Sequence, residues 1–131
     1  AKRAFATPED TAKLNAITHP RIIDLSNNIL MQFEQMRERI AVIDAPLLFE
    51  SGMEAICDLT VAVVAPAAMR LERIRQRDEL TEAQAKARMS AQQEEDYYTT
   101  RASITLRNEG DLAQLRRQAE ELAVQIREWA R

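Results

Sequence analysis

Glycine is nearly absent from this chain of 131 residues: Gly52 and Gly110 are the only two. That scarcity excludes the glycine-rich phosphate cradles. A Walker A loop ends in a glycine followed by lysine, whereas Met53 follows Gly52 and Asp111 follows Gly110. The three-glycine dinucleotide fingerprint fails for the same reason. Cysteine is scarcer still. Cys57 stands alone, so no intrachain disulfide can form, and one cysteine with one histidine, His19, cannot build a structural zinc site. A lone thiol suits a reducing, cytoplasmic setting. No apolar run approaches the ~20 residues of a membrane span, and Ala1-Lys2-Arg3-Ala4-Phe5 leads into no apolar stretch of the secretory kind. Positive charge is not in excess either. The formal net charge is -3, the arginines are mixed with Glu and Asp, and no aromatic residues alternate with them. This pattern argues against nucleic acid as a partner.

What remains is an ordinary globular composition, 46% apolar and 30% charged, long enough for one domain with a real core. Thr7-Pro8-Glu9-Asp10 predicts a capped helix start, with proline at the first helical position and acids at the positive end of the dipole. That helix is expected to reach about Thr18. A second is expected from Pro20, burying one face made of Ile22, Leu25, Ile29, Phe33 and Met36, and ending in polar Gln35–Arg39. Ile40–Asp44 reads as a short buried strand stopped by Pro46. Asp58–Pro66 reads as another, apolar on both faces in the manner of a covered parallel sheet. A helix follows to about Arg77. Thr81-Glu82-Ala83-Gln84 is a capping box that opens a helix expected to run to Asp96 or beyond. Ser103–Arg107 suits a third strand. Asp111 with Gln114 starts a last helix whose face carries Leu112, Leu115, Leu122, Ile126 and Trp129, the last expected to anchor it. The element order is that of an α/β fold with a helical insertion.

Two places invite chemistry. Asp44 ends a strand, and in open parallel sheets ligands gather beyond such ends. A carboxylate there can orient water, accept a proton or join a magnesium shell, or simply cap the turn at Pro46. Arg70, Arg73 and Arg77 share a helix face, with Arg88 on the next helix able to meet them. Converging guanidinium groups suit polyphosphate oxygens. The competing reading is a solvated face balanced by Glu72, Asp78 and Glu79. His19, before Pro20, is either a packing residue or a substrate contact. Cys57 reads as a buried, inert thiol.

Five segments in order resemble one family, the dephospho-CoA kinases. Leu14-Asn15-Ala16-Ile17-Thr18-His19-Pro20 is similar to its L-N-x-I-x-H-P segment, and Asp44-Ala45-Pro46-Leu47-Leu48-Phe49-Glu50-Ser51-Gly52 to its D-x-P-L-L-F-E-x-G segment. Asp58–Pro66 resembles the following strand. Arg73 through Asp78, with Thr81, Ala85, Arg88 and Gln92, resembles the lid. Asn108-Glu109-Gly110 resembles the turn after the last strand.

The resemblance implies a P-loop kinase-like parallel sheet with a helical CoA-binding insertion and a helical lid. It implies ATP-dependent phosphorylation of the 3'-hydroxyl of dephospho-CoA, with magnesium. By the same resemblance, Asp44, Arg73 and Arg77 would be catalytic, and His19, Leu47 and Glu50 would bind substrate. Arg73, Arg77, Arg88, Asn108 and Gly110 would bind ATP. The implied organisation is a CoA-binding region over 1–39, core strands over 40–66, lid helices over 67–100, and the last strand and helix over 101–131.

The sequence departs from the family pattern at Arg70, where glutamine is usual, and at Ser103, where aspartate is usual. It also lacks the opening strand, P-loop and second strand. The expectation is therefore an incomplete sheet and a fragment inactive alone, pairing with the missing segment or with a second copy. Two other readings stand beside this one: another small-molecule kinase of the P-loop class, such as a nucleoside monophosphate kinase, and a non-catalytic binding or oligomerisation module.

Overall fold

The computed structural model describes residues 7–131. It divides into two compact units. One comprises the described residues up to Met53, with Ala130 and Arg131; the other is Glu54–Trp129.

In the first unit, α1 spans Pro8–Gln35. Thr7 caps it, its side-chain oxygen accepting from the Asp10 amide at 3.1 Å. The expected break at Pro20 does not occur: Pro20 lies inside one continuous helix. A proline removes one backbone donor and crowds the preceding turn, and α1 nonetheless runs through it. The helix stops where the polar run predicted. Arg37 takes the left-handed conformation, φ 61°, and the Arg37 and Glu38 amides bond back to Glu34 and Phe33 at 2.9 Å each. This is a Schellman closure with arginine in the glycine position.

The face drawn from Ile22, Leu25, Ile29, Phe33 and Met36 is exposed rather than buried, from 41% at Phe33 to 67% at Met36. Among the described residues of its unit, α1 is the one long regular element, and no other element there covers that face. The expected strand at Ile40–Asp44 is not formed either. The segment is irregular, and Val42 is 84% exposed. A β-branched run is a strand only when a neighbour accepts its hydrogen bonds.

The second unit holds a two-stranded parallel sheet. β1 is Val61–Val64 and β2 is Ile104–Arg107, paired Val61 to Ile104 through Val64 to Arg107. The chain between them forms α2 (Ala67–Asp78), α3 (Glu82–Ser90) and α4 (Glu95–Thr99), and α5 (Leu112–Trp129) follows β2. α2 packs on α3, α5 on β2 and α4 on β1. The Thr81 capping box forms as expected, and Asp111 caps α5 by accepting from the Gln114 amide at 2.8 Å.

The helix expected to reach Asp96 or beyond ends at Ser90. Glu94, Glu95 and Asp96 would be like charges within a helix interior. They instead start α4, where Glu95 and Asp96 occupy its first turn. The core is small: Ala62, Ala65, Ala85 and Leu122 are buried. Trp129 is 67% exposed, so it is not the buried anchor of α5 that was expected.

The turn joining α2 to α3 carries avoidable strain. Glu79 sits at φ 52° while the Leu80 amide closes onto Arg75. A left-handed non-glycine residue costs about 1–2 kcal/mol, and glycine returns about half of that as backbone entropy. Glu79→Gly is expected to raise stability by about 0.5–1 kcal/mol, read as a higher urea midpoint at unchanged slope.

Candidate functional site

The residues that could meet a nucleotide are assembled by the short ladder. At its entry, Thr60 and Ser103 bond reciprocally. The Ser103 amide donates to Thr60 Oγ1 at 3.0 Å, and the Thr60 amide donates to Ser103 Oγ at 3.2 Å. Ser103, the departure from the family pattern, thus pins the start of β2 to the buried Thr60. At the exit, the Asn108 amide donates to the Val64 carbonyl at 2.8 Å. Gln118 of α5 then treats Arg107 as a strand neighbour: its Oε1 accepts the Arg107 amide at 3.1 Å and its Nε2 donates to the Arg107 carbonyl at 3.0 Å.

Asn108 is therefore held at the end of the sheet. There its Oδ1 accepts from Arg73 Nη2 of α2 at 3.2 Å. Two residues nominated for ATP, 35 positions apart, meet. Arg73 and Arg77, with Ile74 and Gln76, line an open depression on α2. Gly110 lies in the turn beyond, and the end of the Gln114 side chain occupies the space a Cβ would take.

Arg77 and Arg88 are also brought together, through Asp78, the residue that ends the lid-like Arg73–Asp78 run. The Asp78 carboxylate accepts Arg77 Nε and Nη2 at 2.8 and 2.9 Å, and Arg88 Nη1 at 2.5 Å. The fork of hydrogen bonds from Arg77, with the charge of Arg88, holds Asp78 below the usual carboxylate range and raises Arg77. Stability drawn from the clamp is present above the ordinary carboxylate pKa and is lost as pH falls through the lowered value. Arg70 does not join this group. It is half-buried, and its Nε is shielded without a hydrogen-bond partner among the described residues.

The remaining nominated residues belong to the first unit. His19 is half-buried inside α1, with its Nε2 shielded and unpartnered among the described residues. Asp44 is exposed in the irregular stretch rather than at a strand end. Leu47 and Glu50 lie in a helical turn over Pro46–Gly52, closed by the Ser51 amide on Leu47 and the Met53 amide on Leu48 at 3.0 and 3.1 Å. Gly52 sits at φ 76° in that turn, a conformation that favours glycine. Among the described residues no three His, Cys, Asp or Glu side chains cluster as a metal site.

The family model for dephospho-CoA kinase matches residues 1–114. The chain belongs to the dephospho-CoA kinase family. It is 48% identical to the dephospho-CoA kinase of Moorella thermoacetica over 100 residues, covering 76% of this chain and 47% of that one. It is 36% identical to that of Corynebacterium glutamicum over 126 residues, covering 96% and 63%. Among solved structures it is similar to a Thermus thermophilus protein, with TM-score 0.68 and 30% identity over 95% of this chain and 64% of that one. It is also similar to the dephospho-CoA kinase of Campylobacter jejuni, with TM-score 0.59 and 29% identity over 94% and 61%. The chain thus spans roughly half to two thirds of the length of these relatives. The fold is that of P-loop kinases, with two parallel strands represented among the described residues.

Within this dephospho-CoA kinase family chain, Cys57 is half-buried, and burial together with Asp58 and Glu54 pushes its thiol pKa up. Less thiolate is then present at neutral pH than on a free cysteine. Iodoacetamide is expected to label Cys57 more slowly than free cysteine at pH 7.5, with the rate rising as pH climbs past 9. Equal rates at both pH values would contradict this reading.

Proposed function

We propose that this chain supplies the acceptor-binding region and the lid of an enzyme that transfers the ATP γ-phosphoryl group to the ribose 3'-hydroxyl of dephospho-CoA. The observation that carries the reading is the family match across residues 1–114, supported by the Arg73–Asn108 bond that joins the lid helix to the turn after the last strand. In this reading Asn108 meets the adenine. Arg73, Arg77 and Arg88 neutralise charge that spreads over the phosphoryl oxygens in the transition state. The backbone turn at Gly110 lets the nucleotide approach. His19, Leu47 and Glu50 contact dephospho-CoA, and Asp44 orients the attacking hydroxyl.

Magnesium would arrive with the triphosphate. Such ions keep several waters and take only one or two carboxylates, and the described residues form no cage for one. No residue run in the 131 supplies a Gly-Lys phosphate cradle. The chain alone is accordingly proposed to bind nucleotide without transferring phosphate. A cytoplasmic location fits this metabolism. No helix among the described residues is long and apolar enough to cross a membrane.

ATP titrated into the chain by calorimetry is expected to bind, and Arg73→Gln to weaken binding about tenfold, the size of one charge-assisted contact. The chain preceded by a P-loop segment is expected to phosphorylate dephospho-CoA and not nucleoside monophosphates. Equal turnover of a nucleoside monophosphate would overturn the acceptor assignment.

A further inference from the structure

We infer that Asp78 is a positioning residue, which holds Arg77 and Arg88 side by side as a preformed two-guanidinium grip for a polyphosphate. The inference rests on the reading that these two arginines bind the nucleotide's phosphates. The geometry points to it in three ways. One carboxylate reaches both elements of the lid, since Arg77 is on α2 and Arg88 on α3, ten residues from Asp78. Asp78 is the least exposed of the three, at 23%, against 69% for Arg77 and 56% for Arg88. The carboxylate is thus the seated member, and the guanidinium groups remain open to a ligand. Third, neither arginine is used up. Arg77 commits Nε and Nη2, and Arg88 commits only Nη1. The other nitrogens form no hydrogen bond among the described residues and can donate to phosphate oxygens in the fork geometry that favours them.

An isolated long side chain loses rotamer freedom when it grips an anion. Holding two in advance reduces that loss. The clamp also leaves a net charge of +1 on the three groups, enough to favour an anion while preventing the two cations from repelling each other apart.

The two possible roles of Asp78 give opposite signs. If Asp78 merely balances charge, removing its negative charge should strengthen anion binding. If it positions the arginines, removal should weaken binding. The probe is inorganic tripolyphosphate, titrated calorimetrically into the whole chain. Asp78→Asn is expected to weaken binding about three- to tenfold, and Asp78→Glu to restore part of the loss. In the double variant, Arg88→Gln is expected to cost less in the Asp78→Asn background than alone. The Arg77 Nε–H proton resonance, expected to be resolved and slow to exchange in the parent, should merge with the free arginine signals in Asp78→Asn. That change is one that a general loss of structure, visible in the circular dichroism, would not single out.

Unchanged or tighter binding in Asp78→Asn, with Arg77→Gln and Arg88→Gln each weakening it, overturns the positioning role and leaves the phosphate reading intact. No effect from either arginine variant overturns the phosphate reading itself.

Discussion

Where Asn108 and the start of α2 stand in the Glu54–Trp129 unit depends on one short parallel ladder. Four residue pairs, Val61–Ile104 through Val64–Arg107, fix where β2 ends, and hence where Asn108 stands. They also fix where β1 hands over to α2, which carries Arg73 and Arg77. Isolated two-stranded pairings are marginal in water, and this one is reinforced at both ends. Thr60 and Ser103 exchange side-chain and backbone bonds at the entry, and Gln118 imitates a third strand against Arg107 at the exit. Each device satisfies backbone groups that a two-stranded sheet would otherwise leave to water. The placement of Asn108, Arg73 and Arg77, the residues proposed to meet the nucleotide, is therefore inherited from Thr60, Ser103 and Gln118.

The lid follows a different logic. α2 and α3 bury little between them; Ala85 is the buried residue of α3, and α2 has none. Their relative placement is set by the turn through Glu79 and by charge. An arrangement held mainly by exposed ion pairs is weak in free energy, which suits the proposed role of a lid closing over a ligand. Arg107 adds a similar link, pairing with Glu95 of α4 at 3.1 Å and with Glu109 at 3.5 Å.

Much of this was legible from the residues because it depended on local chemistry. Thr7, Thr81 and Asp111 each cap the helix their spacing announced. The apolar runs at Asp58–Pro66 and Ser103–Arg107 each contain a strand, and the two pair in parallel. Readings that failed were those that needed a neighbour. Among the described residues, Ile40–Asp44 has a strand's composition but no adjacent strand, and the Ile22–Met36 face has a core's periodicity but no element of its unit to cover it. Periodicity reports what a segment would bury, not whether anything arrives to bury it against. Asp78 was undervalued for a related reason: its link to Arg88 joins two helices through a turn whose geometry no spacing rule supplies. Arg73 and Asn108 were each nominated for ATP through the family resemblance, but no spacing announced the contact between them, since 35 residues separate the partners.

The central claim is that the ladder, rather than the helices around it, holds Asn108 and the start of α2, where the residues proposed to meet the nucleotide stand. Amide hydrogen exchange followed residue by residue tests it most directly. The Ile104 and Asn108 amides, bonded to the Thr60 and Val64 carbonyls at 3.1 and 2.8 Å, are predicted to exchange far more slowly than those of the irregular Ile40–Asp44 stretch in the same sample. If Ile104 and Asn108 exchange as fast as Ile40–Asp44 while the α2 and α5 amides stay protected, the ladder is not what holds the site, and the account fails at its foundation.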